Sequence, residues 1–328
     1  MADPTQSHNT IDTVHPPFDE VSEGNSSIPR YLLHIVTHPC TILDLSLDTG
    51  FEDKRFDPTF IALSLSLIPT LEKIRFYNVI LPSSTNGPCH SKAHLPNLRS
   101  LSLIENGSGI VALLSQLSIP TNTVLDLEAN TDTPLTTSVE LIATVGHILE
   151  GSGGAVTQIL QTLSLLTEYG RVIVKGYDYF LDYNDPGSPA DVRLSMPALN
   201  WRDRNGLVEG IAYGLPISRV EIVYSDTSLL DTLSDDILSL LLWSLCNLKS
   251  LTWTDPDFPV CPGGNDERSR ESRVDMRAGG VSKLATSLCL VQNTVDNEIY
   301  RDAVTRLLVL CTLAGFGIDD LSLGLEKS

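Results

Sequence analysis

Apolar residues along the chain follow two rhythms. One is a strand-like signature, Φ-x-x-Φ-x-Φ with Φ apolar, clearest in Leu95-Pro-Asn-Leu98-Arg-Ser-Leu101-Ser-Leu103-Ile-Glu-Asn106. There Leu101 and Leu103 alternate onto one face of a strand, and Leu98 enters the same core just before it. The signature recurs at Ile42/Leu45/Leu47, Leu71/Ile74/Phe76, Leu160/Leu163/Leu165, Ile217/Val220/Ile222, Leu248/Leu251/Trp253 and Ile318/Leu321/Leu323. Val124-Leu-Asp-Leu127, with Asn122 before it, is a further copy, and Val192-Arg-Leu194 and Leu288-Cys-Leu290 fill the two long gaps. The second rhythm is helical. Residues 57–68, 107–117, 136–149, 205–213, 231–245 and 297–313 predict amphipathic helices that stop short of the next signature. Ser234-Asp-Asp opens one of them and Gly214-Leu-Pro216 closes another.

A single strand of this kind cannot bury its apolar face alone, so its recurrence calls for stacking. The expected fold is α/β: a leucine-rich-repeat-like solenoid of about 8–10 irregular repeats, with a curved parallel sheet on the concave side and helices on the convex side. A doubly wound sheet also alternates helix and strand, but the fixed place of the strand motif after each helix favours the array. The solenoid is expected over residues 28–254. Residues 1–27, polar and broken by Pro16-Pro17, read as a disordered or truncated N-terminal tail. The stretch 176–197 reads as an enlarged loop around an irregular repeat, 255–280 as a mobile insertion, and 281–328 as a helix–strand unit placed to cap the array.

With Φ residues in the core, the residues between and beside them face the concave side. These are Asp44 and Ser46; Lys73, Arg75 and Tyr77; Ser100 and Ser102; Asp126 and Glu128; Thr162 and Ser164; Asp191 and Arg193; Arg219 and Glu221; and Ser250 and Thr252. The set is small, hydroxyl-rich and charged in clusters, which suits either a protein-binding surface or a merely solvated sheet. Asn106 and Asn130 occupy the position where repeat proteins use a side-chain amide to satisfy the backbone of adjacent turns.

Charge narrows the partners. The chain holds 41 acidic and 22 basic side chains, a net charge of −19, which repels nucleic acid and anionic membranes. Its 6 cysteines form no C-x-x-C pair and several lie in apolar runs, favouring a reducing compartment. With no signal-peptide pattern and no apolar run of spanning length, a cytoplasmic or nuclear protein is expected.

Four segments together resemble the leucine-rich-repeat region of the F-box-type proteins abundant in mushroom-forming fungi. They are Leu32-Leu-His-Ile-Val, Leu95-Pro-Asn-Leu-Arg-Ser-Leu-Ser-Leu, Leu114-Ser-Gln-Leu-Ser-Ile-Pro and Thr123-Val-Leu-Asp-Leu. The resemblance spans roughly residues 28–254. It implies a substrate-recognition module whose family members carry an N-terminal F-box that docks on Skp1 of a ubiquitin ligase. Residues 1–27 lack the helical sequence of an F-box, so Skp1 is expected as a partner only if such a segment precedes this chain. A fragment of a longer adaptor and a repeat-only relative both fit.

No catalytic or cofactor constellation stands out. His34, His38 and Cys40, with Cys89, His90 and His94, are metal-ligand types without closed spacing, which favours exposed histidines over zinc. Gly151-Ser-Gly-Gly154 follows a helix rather than a strand, unlike a phosphate-binding loop, and Gly107-Ser-Gly109 lacks the residues that would make Ser108 a nucleophile. Trp201, Trp243 and Trp253 read as packing residues. The expectation is a non-enzymatic protein-binding module without cofactor or metal. The alternatives are an α/β hydrolase-like enzyme with an unrecognised site and a paralogue without ligase function.

Overall fold

A computed structural model describes residues 41–47, 55–82, 92–151, 158–181, 189–230, 232–254, 285–291, 309 and 317–324. Its strands are β1 (Ile42–Ser46), β2 (Lys73–Tyr77), β3 (Ala93–His94), β4 (Ser100–Glu105), β5 (Leu117–Ser118), β6 (Val124–Ala129), β7 (Thr162–Glu168), β8 (Arg171–Tyr177), β9 (Val192–Pro197), β10 (Ile222–Asp226), β11 (Ser250–Thr254), β12 (Ala285–Val291) and β13 (Gly317–Gly324). Between them lie α1 (Pro58–Ser66), α2 (Gly107–Ser115), α3 (Leu135–Glu150), α4 (Trp201–Gly214), the short α5 (Thr227–Leu230) and α6 (Asp235–Ser244).

Eleven strands form one sheet in the order β1-β2-β4-β6-β9-β8-β7-β10-β11-β12-β13, while β3 and β5 pair separately. All neighbours are parallel except β8, which is antiparallel to both β7 and β9. α1, α2, α3, α4 and α6 pack consecutively side by side, so one face of the sheet carries the helices. The core lies between. One row of residues in register, Leu43–Ile74–Leu101–Leu125–Val192 on one side of β8 and Leu163–Val223–Leu251 on the other, faces the helices and is buried throughout. In β8 the same row is taken by Gly176, where a Cβ would meet the Leu160 side chain at 3.0 Å.

The strand junctions repeat a construction. Arg99 and Ser100 N–H both donate to Glu72 O, and Lys249 and Ser250 N–H both donate to Glu221 O. Asn97 Nδ2 donates to Pro69 O at 2.9 Å and Asn247 Nδ2 to Ser218 O at 2.7 Å. Arg99 faces Glu72 at 3.8 Å and Lys249 faces Glu221 at 2.6 Å. The amide bridge between adjacent turns is therefore supplied by Asn97 and Asn247. Asn106 instead caps α2, accepting from Ser108 N–H, and Asn130 Nδ2 reaches Asn78 Oδ1 at 3.4 Å.

The centre adds a strand that the expected pattern did not place: the enlarged loop was expected over 176–197, where Val192–Pro197 forms the anticipated strand, and the new one lies before it. Residues 171–177 are a strand that turns back from β7 through Tyr169 and Gly170, at φ 49° and 73°, the left-handed pair of a tight hairpin. Since β7 and β8 lie between β9 and β10, α3 and α4 each link strands three positions apart. The two helices run closely together. A Cβ on Gly146 would sit 1.7 Å from Gly214 O, and one on Gly206 would sit 2.8 Å from the Leu135 side chain.

Two registers also differ from expectation. In the first unit the anchor opposite Ile74 is Leu43, not Leu45, because Ile42 faces outward and is 58% exposed. In the tenth strand Ile217–Arg219 is a 3-10 turn, and the core anchors are Val220 and Val223, with Ile222 on the other face. Trp201 and Trp243 are exposed rather than packed. The tail 1–27, the insertion 255–280, and all of the helix expected at 297–313 except Val309 fall outside the described residues.

Candidate functional site: the helix-free face of the sheet

The face opposite the helices presents its side chains in transverse rows set by strand register. The central row reads Asp44–Arg75–Ser102–Asp126–Arg193–Lys175–Ser164–Tyr224. Adjacent members of a row lie one strand spacing apart, about 4.8 Å. Oppositely charged neighbours therefore meet. Arg75 reaches Asp44 at 3.5 Å, and Arg193 reaches Asp126 at 2.8 Å and Glu128 at 3.7 Å. The flanking residues Lys73, Ser100, Tyr77 and Ile104 complete the β2 and β4 portion.

Asp44, Lys73, Arg75 and Tyr77 are exposed, while Ser100, Ser102, Asp126, Glu128 and Arg193 are half-buried among neighbours. Thr162 and Ser164 are not available. The chain leaving β8 folds over them: Thr162 Oγ1 donates to Tyr179 O, Leu181 N–H donates to Thr162 Oγ1, and Tyr224 OH donates to Leu181 O. Tyr177 is buried in this cover, which pushes its phenol up to about 12. Asp191 accepts from Asp178 N–H at 2.8 Å, and burial raises its carboxyl above the ordinary range. Arg219 lies in the 3-10 turn and Glu221 precedes β10, pairing with Lys249, so neither joins the rows.

Arg171 was not anticipated. From the start of β8 it donates through Nε to Ser195 Oγ at 2.7 Å and through Nη2 to Ala129 O at 2.5 Å and Ser195 O at 2.9 Å, with Glu128 at 3.8 Å. Burial lowers the guanidinium's pKa and Glu128 opposes that. Lys175 and Tyr224 were missed for the same reason: both depend on the β8 pairing and the true β10 register. A second polar knot lies at the end of β10. Asp226 accepts from the N–H and hydroxyl of Thr167, from Ser228 Oγ and from Leu229 N–H, which ties β7 to the start of α5.

Among the described residues, no group of three or more His, Cys, Asp or Glu could hold a metal. None of their helices is long and apolar enough to cross a membrane. His94 is exposed beside Ser118, and the other histidines and cysteines of the weighed zinc set fall outside the described residues. The arrangement offers a broad, polar, ion-paired surface. Set against known proteins, the chain matches no family model and no curated protein.

Proposed function

We propose that this chain is a protein-binding module that engages its partner with the helix-free face of the sheet, around Arg75, Ser102, Asp126, Glu128 and Arg193. Its architecture is that of a leucine-rich-repeat-like solenoid with an antiparallel insertion, and its role is substrate recognition for an F-box-type ubiquitin-ligase adaptor. One observation carries the binding reading. The rows of small and charged side chains present a continuous surface patterned by ion pairs, closest at Arg193–Asp126, and such charge patterns orient a protein partner. The repeated junctions at β2/β4 and β10/β11 support the solenoid. The adaptor role rests on the four resembling segments alone.

The test is site-directed photo-crosslinking in cells. A crosslinking residue at Ser102 should capture a protein, one at Glu140 on α3 should not, and Arg193→Glu should abolish the Ser102 product. Equal capture from both positions, or none from Ser102, sinks the reading. The adaptor role is separable: the chain alone should not bind Skp1, and a substrate captured at Ser102 should become ubiquitinated only when an F-box segment is joined to the chain.

A further inference from the structure

β4 ends on a carboxylate in a place built for an apolar residue. Glu105 follows Leu101 and Leu103 on the helix-bearing side of the sheet and is fully enclosed. Its Oε1 accepts from Val79 N–H at 2.6 Å, and the neighbouring Ile80 N–H also favours the charged form. Oε2 is enclosed as well and has no partner among the described residues. Val79 and Ile80 belong to the connection leaving β2, where Asn78 is held at φ 55°. Phe56 N–H donates to Val79 O and Leu81 N–H to Phe56 O, so the same connection anchors the entry to α1. Glu105 thus stands at the joint that fixes the first unit, β1, α1 and β2, to the rest of the sheet.

Among the described residues the charged surroundings are sparse. α1 and α2 contain no ionisable side chain, and β6 places Ala129 opposite Glu105. Of the described residues, Arg55, on the approach to α1, is the charge that acts on it. Nearby, Asp57 is engaged in capping α1, and Asp132 accepts from Asn106 Nδ2.

We propose that Glu105 is a pH-sensitive latch: while neutral it locks the 78–81 connection onto β4, and on ionisation its buried, unpaired oxygen loosens that joint and lets the first unit open locally. Burial pushes this carboxyl up to about 7, outweighing the two backbone donors and Arg55, which pull the other way. In an opened form the solvated carboxyl titrates near 4.5. The closed form therefore holds the proton more tightly, and opening becomes easier as pH rises from about 4.5 to about 7, then levels off.

Hydrogen exchange on the full chain, corrected for intrinsic rates, tests this together with NMR titration of the Glu105 carboxyl. Protection of Val79 and Leu81 should fall by roughly sixtyfold between pH 5 and 7.5 in the wild type. In Glu105→Gln, which keeps the carbonyl acceptor, that fall should vanish, and the wild-type carboxyl should titrate near neutrality. A carboxyl that titrates in the ordinary range overturns the proposal, as does an equal fall in the Gln variant. If the variant does not fold, the wild-type carboxyl and the Val79 amide must titrate together, and their failure to do so rejects the latch.

Discussion

The flanks and the centre of the sheet solve the same packing problem differently. At β2/β4 and at β10/β11 the segments Asn97-Leu-Arg-Ser-Leu101 and Asn247-Leu-Lys-Ser-Leu251 make equivalent amide bridges, backbone forks and ion pairs. Each strand there needs only its neighbour. In the centre, β8 is inserted between β7 and β9, and the helices must cross three strand positions to reach the next parallel strand. The flanks therefore rest on repeated local contacts, the centre on a few close contacts between segments distant in sequence. Substitutions in the two regions should differ accordingly, both in size and in what they disturb.

The largest effect is expected at Gly146→Ala. An added Cβ would meet the backbone of α4 at Gly214, which cannot yield as a side chain can, so a loss of about 3–5 kcal/mol by chemical denaturation is expected despite alanine's better helix propensity. The flank counterpart is Gly109→Ala in α2, where the Cβ would approach Ile80 Cγ2 at 3.0 Å. That contact is tight by a few tenths of an ångström rather than a collision with backbone, so a smaller loss of about 1 kcal/mol is expected. Similar losses at both positions would show that the centre is no more demanding than the flank.

Glu105→Gln comes next and probes a flank through its buried carboxyl. Because the folded carboxyl sits near 7 and the unfolded one near 4.5, its stabilising contribution is complete below about 4.5 and lost as pH rises to 7. The stability of the variant relative to wild type should thus increase by about 2–3 kcal/mol between pH 5 and pH 8. A difference independent of pH would remove Glu105 as the cause.

Arg171→Met tests the centre. Its guanidinium joins β8, β9 and the end of β6 through Ser195 and Ala129 O, and removal leaves these acceptors and Glu128 without it. A loss of about 2 kcal/mol is expected in urea unfolding, with little pH dependence above pH 5. A smaller loss, about 1 kcal/mol, should follow Gly170→Ala, since φ 73° strains any residue with a Cβ.

Apart from the β1 and β10 registers, the flanks were legible in the sequence because their apolar spacing is local. Leu98, Leu101 and Leu103 form the core positions their spacing predicts, and each observed main helix overlaps its expected span. The β10 register was misread because Val220, Ile222 and Val223 place apolar residues on both faces while Ser225 takes the third core position. The β8 strand carried a usable signal, Val172-Ile-Val174 behind a Tyr169-Gly170 turn, but a repeat of strand and helix left no place for a hairpin. Nothing local announces that residues 177–181 cover Thr162 and Ser164, since that contact is tertiary.

The smallest stability effect is expected on the helix-free face of the flank, at Arg75→Ala. Its ion pair with Asp44 is 3.5 Å long between two largely exposed side chains, so its loss should cost less than about 0.5 kcal/mol. If the face binds a protein, the same substitution should still weaken the complex, and the weakening should shrink as salt is added. Arg193→Ala offers the central equivalent, with shorter contacts to Asp126 and Glu128 and less exposure. A partner that tolerates Arg75→Ala but not Arg193→Ala would place the recognition centre beside the antiparallel insertion. Tolerance of both would move binding off this face, leaving the ion pairs as supports of the sheet alone.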